Sequence, residues 1–173
     1  MKNSYSAFAI SFLVTLTGCS NVYIQSNVNR EDKTDFTRIL VVSNLTRANP
    51  TYLASFQTAF PQGYQVCSVS NSPLSFDSPQ EAIQKQQQTC HSEVMLTIDF
   101  SRNYLSGYGK YISSNDELLL QLINISNGKP FWKAVVTTSG SNEVPANKVV
   151  NQLIEDGIIK GTLPGQKYYR SDY

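Results

Sequence analysis

At 173 residues, 40% hydrophobic and 16% charged, the chain is long enough for one domain with a sizeable core and too apolar to be disordered throughout. Lysine and arginine total 14 against 13 for aspartate and glutamate, and removing Lys2 with the leader described below leaves 13 against 13. A neutral body without a Lys/Arg cluster has no electrostatic footprint for nucleic acid or for an anionic membrane surface, so no nucleic-acid partner is expected.

Lys2 precedes an apolar stretch from Ala7 to Leu16. A spanning helix needs roughly 20 apolar residues, whereas the apolar part of a signal peptide needs only about 7–15. Residues 1–18 therefore read as a leader. It ends in Leu16-Thr17-Gly18-Cys19, which resembles the bacterial lipobox. That resemblance implies cleavage before Cys19, a diacylglyceryl thioether on its sulfur, and an N-linked acyl chain such as palmitate. Two or three acyl chains exceed the two signals that stable anchoring requires. Ser20 follows the cysteine, not the Asp that retains many Gram-negative lipoproteins in the inner membrane, which implies an outer-membrane anchor with the domain facing the periplasm. Cys67 and Cys90 then lie in a compartment that permits disulfides. A bridge would close a loop of roughly two dozen residues and stabilise by about 3 kcal/mol on the chain-entropy model. Two buried thiols are the other reading, and spacing does not decide between them.

Residues 19–36 are polar and read as a tether, with one short alternating piece, Val22-Tyr23-Ile24, able to lend an edge strand. The domain is expected over 37–163. Arg38-Ile39-Leu40-Val41-Val42-Ser43 is a β-branched run of the kind buried on both faces, and it is expected at the centre of the sheet. Asn49-Pro50 offers an N-cap and a first-turn proline, after which Tyr52, Leu53, Phe56 and Phe60 recur at helical spacing until Pro61 and Gly63. Tyr64 to Val69 alternates as a second strand. Ser78-Pro79-Gln80-Glu81 is a capping box opening a glutamine-rich helix whose apolar face is thin, so this helix is expected on the surface. In the third strand Val94, Leu96, Ile98 and Phe100 share one face.

Ser101 to Asp116, rich in Tyr, Gly, Ser and Asn, reads as strand ends around a mobile turn. Leu118 to Ile125 and Phe131 to Thr138 are joined through Ser126-Asn127-Gly128-Lys129-Pro130, in which Asn-Gly is a hairpin signal because both residues accept positive φ. Val149, Val150, Leu153 and Ile154 give the last helix an apolar face, and Gly157 stands where its C-terminus wants a left-handed residue. Residues 164–173 carry no periodicity and read as a disordered tail.

The order β-α-β-α-β-β-β-α predicts a mixed α/β (α+β) sheet with helices packed on it. That order, the Ile39-Leu40-Val41-Val42 strand, the hairpin Asn127 to Ala134 and the ending Gln152 to Ile159 resemble a broad group of small bacterial envelope lipoproteins whose domain is similar to the N-terminal domain of TolB. The resemblance covers about Thr37 to Leu163. It implies a non-catalytic part of an envelope or secretion assembly with envelope-protein partners. The first helix here is shorter than in the better-known members of that group.

The search for chemistry yields little. His91 is the only histidine; Cys90-His91 lacks the ligand count that zinc needs, and no Gly-x-Ser-x-Gly turn accompanies it. No metal, cofactor or catalytic set is expected, and an enzyme is disfavoured. Asp99 reads either as a half-buried carboxylate or as a residue on the wetter face of its strand. Asn44, Arg47 and Asn49 lie beyond the carboxyl end of the first long strand, the usual ligand crevice of open α/β sheets, although turn chemistry and capping account for them. Trp132 is either a core anchor or an interface hot spot. Tyr104, Tyr108 and Tyr111, with Gly107 and Gly109 between them, suit recognition of a partner or polymer; a tyrosine-decorated hairpin end is the plainer reading. Two roles therefore stand open: an envelope component acting by protein contacts, and a periplasmic binding module for a small or polymeric ligand.

Overall fold

The computed structural model describes residues 22–46, 49–71, 76–108, 111–139 and 141–165. The leader, Cys19, Arg47, Gly109 and most of the tail lie outside them. The elements are β1 (Val22–Val28), β2 (Arg38–Ser43), α1 (Pro50–Ala59), β3 (Gln65–Ser70), α2 (Pro79–Cys90), β4 (Val94–Tyr108), β5 (Tyr111–Asn124), β6 (Lys129–Ser139) and α3 (Ala146–Glu155). The six strands form one mixed sheet in the order β1-β6-β5-β4-β2-β3, with the helices packed on it, as the pattern predicts. β2 pairs in parallel with β3 and β4, and the remaining pairs are antiparallel. β2 is interior but next to the last strand, not central: the three-strand meander β4-β5-β6 and then β1 all add on its other side.

The expected tether over 19–36 is largely part of the domain. Val22, Ile24 and Val28 alternate against the core, β1 pairs with β6 from Val22↔Thr138 to Val28↔Trp132, and Phe36 is buried. Ser26 interrupts the apolar alternation, which is why only the first three residues of this strand are visible from pattern alone.

Local signals place the helices. Asn49 Oδ1 accepts the backbone N–H of Thr51 at 3.0 Å to cap α1. Ser78 and Glu81 form the reciprocal capping box of α2. His91 closes α2 in a left-handed conformation at φ 49°, and Gly157 takes φ 67° just after α3. The β5–β6 turn departs from the expected pair of positive φ values at Asn127 and Gly128. Residues 125–128 form the turn, only Gly128 has positive φ (70°), and Asn127 instead uses its side-chain oxygen to accept the N–H of Lys129 at 2.9 Å.

One sheet face carries Ile39, Val41, Leu96, Ile98, Leu118, Leu120, Leu122, Trp132, Ala134 and Val136 against Phe56 and Leu53 of α1 and Val149, Val150 and Leu153 of α3. The crossovers β2-α1-β3 and β3-α2-β4 step in opposite directions across the sheet, so a common hand puts their helices on opposite faces. Accordingly α2 lies on the other face, over β2 and β3 alone, and Leu40 and Val42 are fully buried there. α2 buries none of its own residues. The Cys67–Cys90 disulfide ties its last turn to edge strand β3 and settles the pairing left open above.

Candidate interaction surface

β4 and β5 outrun their neighbours. β2 ends at Ser43, opposite Ile98, and β6 ends at Ser139, opposite Asn115, while β4 and β5 stay paired to Tyr108↔Tyr111. The segment expected as strand ends around a turn is a two-stranded ribbon whose strands run to positions 108 and 111, and the expected turn at 109–110 lies outside the described residues. A bulge between Phe100 and Arg102 marks its base. Polar side chains join its strands, a signal that hydrophobic periodicity does not register. Asn103 Nδ2 donates to Asp116 Oδ1 at 2.6 Å and to Ser114 Oγ at 2.9 Å, and the Ser106 and Ser113 hydroxyls meet at 2.9 Å. Asn115, buried at the root, donates to Ser106 Oγ and accepts from Ser139 Oγ. Arg102 pairs with Glu117 at 2.8 Å and lies over the Tyr104 ring at 5.6 Å. Hydrogen bonding to Arg102 holds the Glu117 carboxyl below the usual range, and the same bond raises the guanidinium.

The ribbon also exposes apolar side chains: Leu105 is 70% exposed, Ile112 75% and Tyr104 37%. Leu105 pairs with Ser114 and Ile112 with Gly107, so the two aliphatics are diagonal neighbours on one face, and Tyr104 is on the other. Tyr104 was identifiable from the sequence. Leu105 and Ile112 were not, because a segment read as strand ends around a turn gives no register to say which side chains are exposed. Tyr108 and Tyr111 form the last backbone pair, and their side chains fall outside the described set.

Trp132 does not join this surface. It is 1% exposed, and its Nε1 donates to Asp156 Oδ2 at 2.6 Å, so the interface reading gives way to the core anchor. Its flat alternation with Ala134 and Val136 toward α3 is the physical reason. Asn44 donates to Asp99 Oδ1 at 2.6 Å and accepts from Asn71 beyond β2, where Asn71 Oδ1 is buried with no hydrogen-bond partner among the described residues. Asn49 is used up as the α1 cap. His91 is exposed on the rim of a groove with Arg38, Gln65, Gln86 and Thr89 beside the disulfide. Among the described residues no group of His, Cys, Asp or Glu could hold a metal ion, and no helix is long and apolar enough to cross a membrane.

No family model and no curated protein matches this chain. Solved structures similar to it include the PelC dodecamer from Paraburkholderia phytofirmans, at 14% identity over 79% of this chain and 94% of that one, with a TM-score of 0.42. Another is lipoprotein GNA1162 from Neisseria meningitidis, at 12% identity over 70% and 95% of the two chains, with a TM-score of 0.34.

Proposed function

We propose that this chain is a lipoprotein of the bacterial outer membrane, acylated on Cys19, that serves as a non-catalytic component of an envelope assembly and works by contact with other envelope proteins. The observation that carries the reading is the junction of two features. Leu16-Thr17-Gly18-Cys19 ends an apolar leader-like stretch, and the sheet begins at Val22. Only Ser20 and Asn21 separate the acylation site from a strand locked onto β6, so the anchor holds the domain itself close to the bilayer and not at the end of a long tether. Asn44 is engaged by both Asp99 and Asn71 beyond β2, which favours the contact reading over a ligand crevice there.

Substituting Cys19→Ser and fractionating the envelope tests the anchor. The variant is expected to lose processing or to leave the outer membrane; its persistence there at wild-type mass sinks the reading. Affinity capture from detergent-solubilised membranes tests the second half, which fails if the protein elutes as a monomer with no stoichiometric envelope protein.

A further inference from the structure

The register of the sheet relates the ribbon to the anchor. Val22 pairs with Thr138, Thr138 with Asp116 and Asp116 with Asn103, so the start of β1 is level with the base of the ribbon. Moving along β1 from Val28 to Val22 is moving along β4 from Leu96 toward Tyr108. The chain therefore leaves toward Cys19 at the same end of the sheet from which the ribbon projects. Three Cα steps of 3.8 Å let Cys19 stand at most about 11 Å from Val22. From Asn103, at about 3.3 Å per residue, the ribbon reaches roughly 13 Å to Gly107, the partner of Ile112, and roughly 17 Å to Tyr108. The projection is at least as long as the link, so a bilayer holding the acyl chains meets the ribbon.

The composition of the ribbon fits that meeting. From Asn103 to Asn115 the sequence has Tyr104, Leu105, Tyr108, Tyr111 and Ile112, no carboxylate, and Lys110 as its single charge. The Arg102–Glu117 pair and Asp116 sit at the base. Tyrosine with scattered aliphatics and no acid suits the headgroup layer, where aromatic rings find an apolar side and a wet side. That layer also hydrates the free backbone edges of a two-stranded ribbon, which the hydrocarbon interior would not.

We propose that the ribbon of residues 101–108 and 111–117 is a membrane-contact element that rests in the lipid headgroup layer beside the acylated cysteine, with Tyr104, Leu105 and Ile112 entering it. The proposal rests on the acylation of Cys19. The protein contacts of the assembly then fall to other parts of the surface.

The test uses the full acylated protein reconstituted into vesicles of phosphatidylethanolamine and phosphatidylglycerol that carry nitroxide on their acyl chains. A nitrobenzoxadiazole fluorophore is placed on Ile112→Cys or, as control, on Ser126→Cys in the exposed β5–β6 turn, roughly 40 Å away along the strands. Cys67 and Cys90 are joined and Cys19 is acylated, so the introduced thiol alone takes the label. The expected result is roughly twofold quenching at position 112, as for a group held about 5–10 Å into the headgroup and acyl boundary, with position 126 unaffected. An unquenched label at 112 in protein whose mass shows an acylated Cys19 overturns the proposal and leaves the anchor standing. A label at 112 that is shielded from aqueous iodide yet untouched by the nitroxide means that protein covers the ribbon, which also overturns it. An unmodified Cys19 removes the anchor and this inference together.

Discussion

The inner and outer halves of β4 and β5 are the same two paired strands in two environments. In the inner half, Val94, Leu96, Ile98, Leu118, Leu120 and Leu122 are fully buried beneath α1 and α3. In the outer half only Asn115 is buried among the described side chains, and side-chain hydrogen bonds from Asn103, Ser106 and Asn115 replace packing. Burial drives the fold inside. Outside, the ladder continues without it, so Leu105 and Ile112 are not needed for folding and remain free for contact.

The contrast can be broken by mutation, and the largest effect belongs to the inner half. Leu120→Ala is expected to cost about 2–5 kcal/mol in chemical denaturation, through lost burial and the cavity left behind. A loss below about 1 kcal/mol would mean that this stretch is no better packed than the ribbon.

Next in size is the disulfide. α2 buries no residue of its own, so its docking depends on Cys67–Cys90. The double substitution Cys67→Ser, Cys90→Ser is expected to cost about 3 kcal/mol on the chain-entropy model. Hydrogen exchange should show protection lost first across α2, while β4 and β5 keep theirs.

A smaller effect is expected at the entry to β2. Glu93 accepts the N–H groups of Thr37 at 2.7 Å and Arg38 at 3.0 Å and pairs with the Arg38 guanidinium at 2.8 Å. These backbone bonds, more than the ion pair, hold its carboxyl below the usual range. A carboxyl lowered in the folded state stabilises above the ordinary glutamate range, near pH 4.3, and loses that contribution as the pH falls through its folded value. Glu93→Gln should therefore lower stability by about 1 kcal/mol at neutral pH, and the gap should close below about pH 4. A gap that persists unchanged at pH 2.5 would assign the effect to packing instead.

The smallest effect sharpens the comparison from the other side. Leu105→Ser and Ile112→Ser should each move stability by no more than about 0.5 kcal/mol, as expected of exposed positions. A drop of several degrees in Tm would place these side chains in the fold.

Much of the body was legible because its signals are local or periodic. The Ile39 to Val42 run, the Ser78–Glu81 box and the Val149/Val150/Leu153 face each imply one environment, and the structure supplies it. The ribbon was legible as a hairpin end but not in its length or register. Its strands are held by cross-strand Asn, Ser and Asp pairs that come together only after the register is set. β1 was half visible because Ser26 breaks its alternation, and the acceptor for the buried Trp132 N–H comes from Asp156, 24 residues away. Of the interaction surface, Tyr104 carried a compositional signal, whereas Leu105 and Ile112 became candidates only once the register of the strands exposed them.

The account depends most on a short link between acyl chains and sheet. Mass spectrometry of the N-terminal peptide from protein extracted from outer membranes tests it directly. A mature chain beginning at Cys19, heavier by a diacylglyceryl group and an N-acyl chain, is the expected result. An unmodified Cys19, or a mature chain that begins elsewhere, would contradict it.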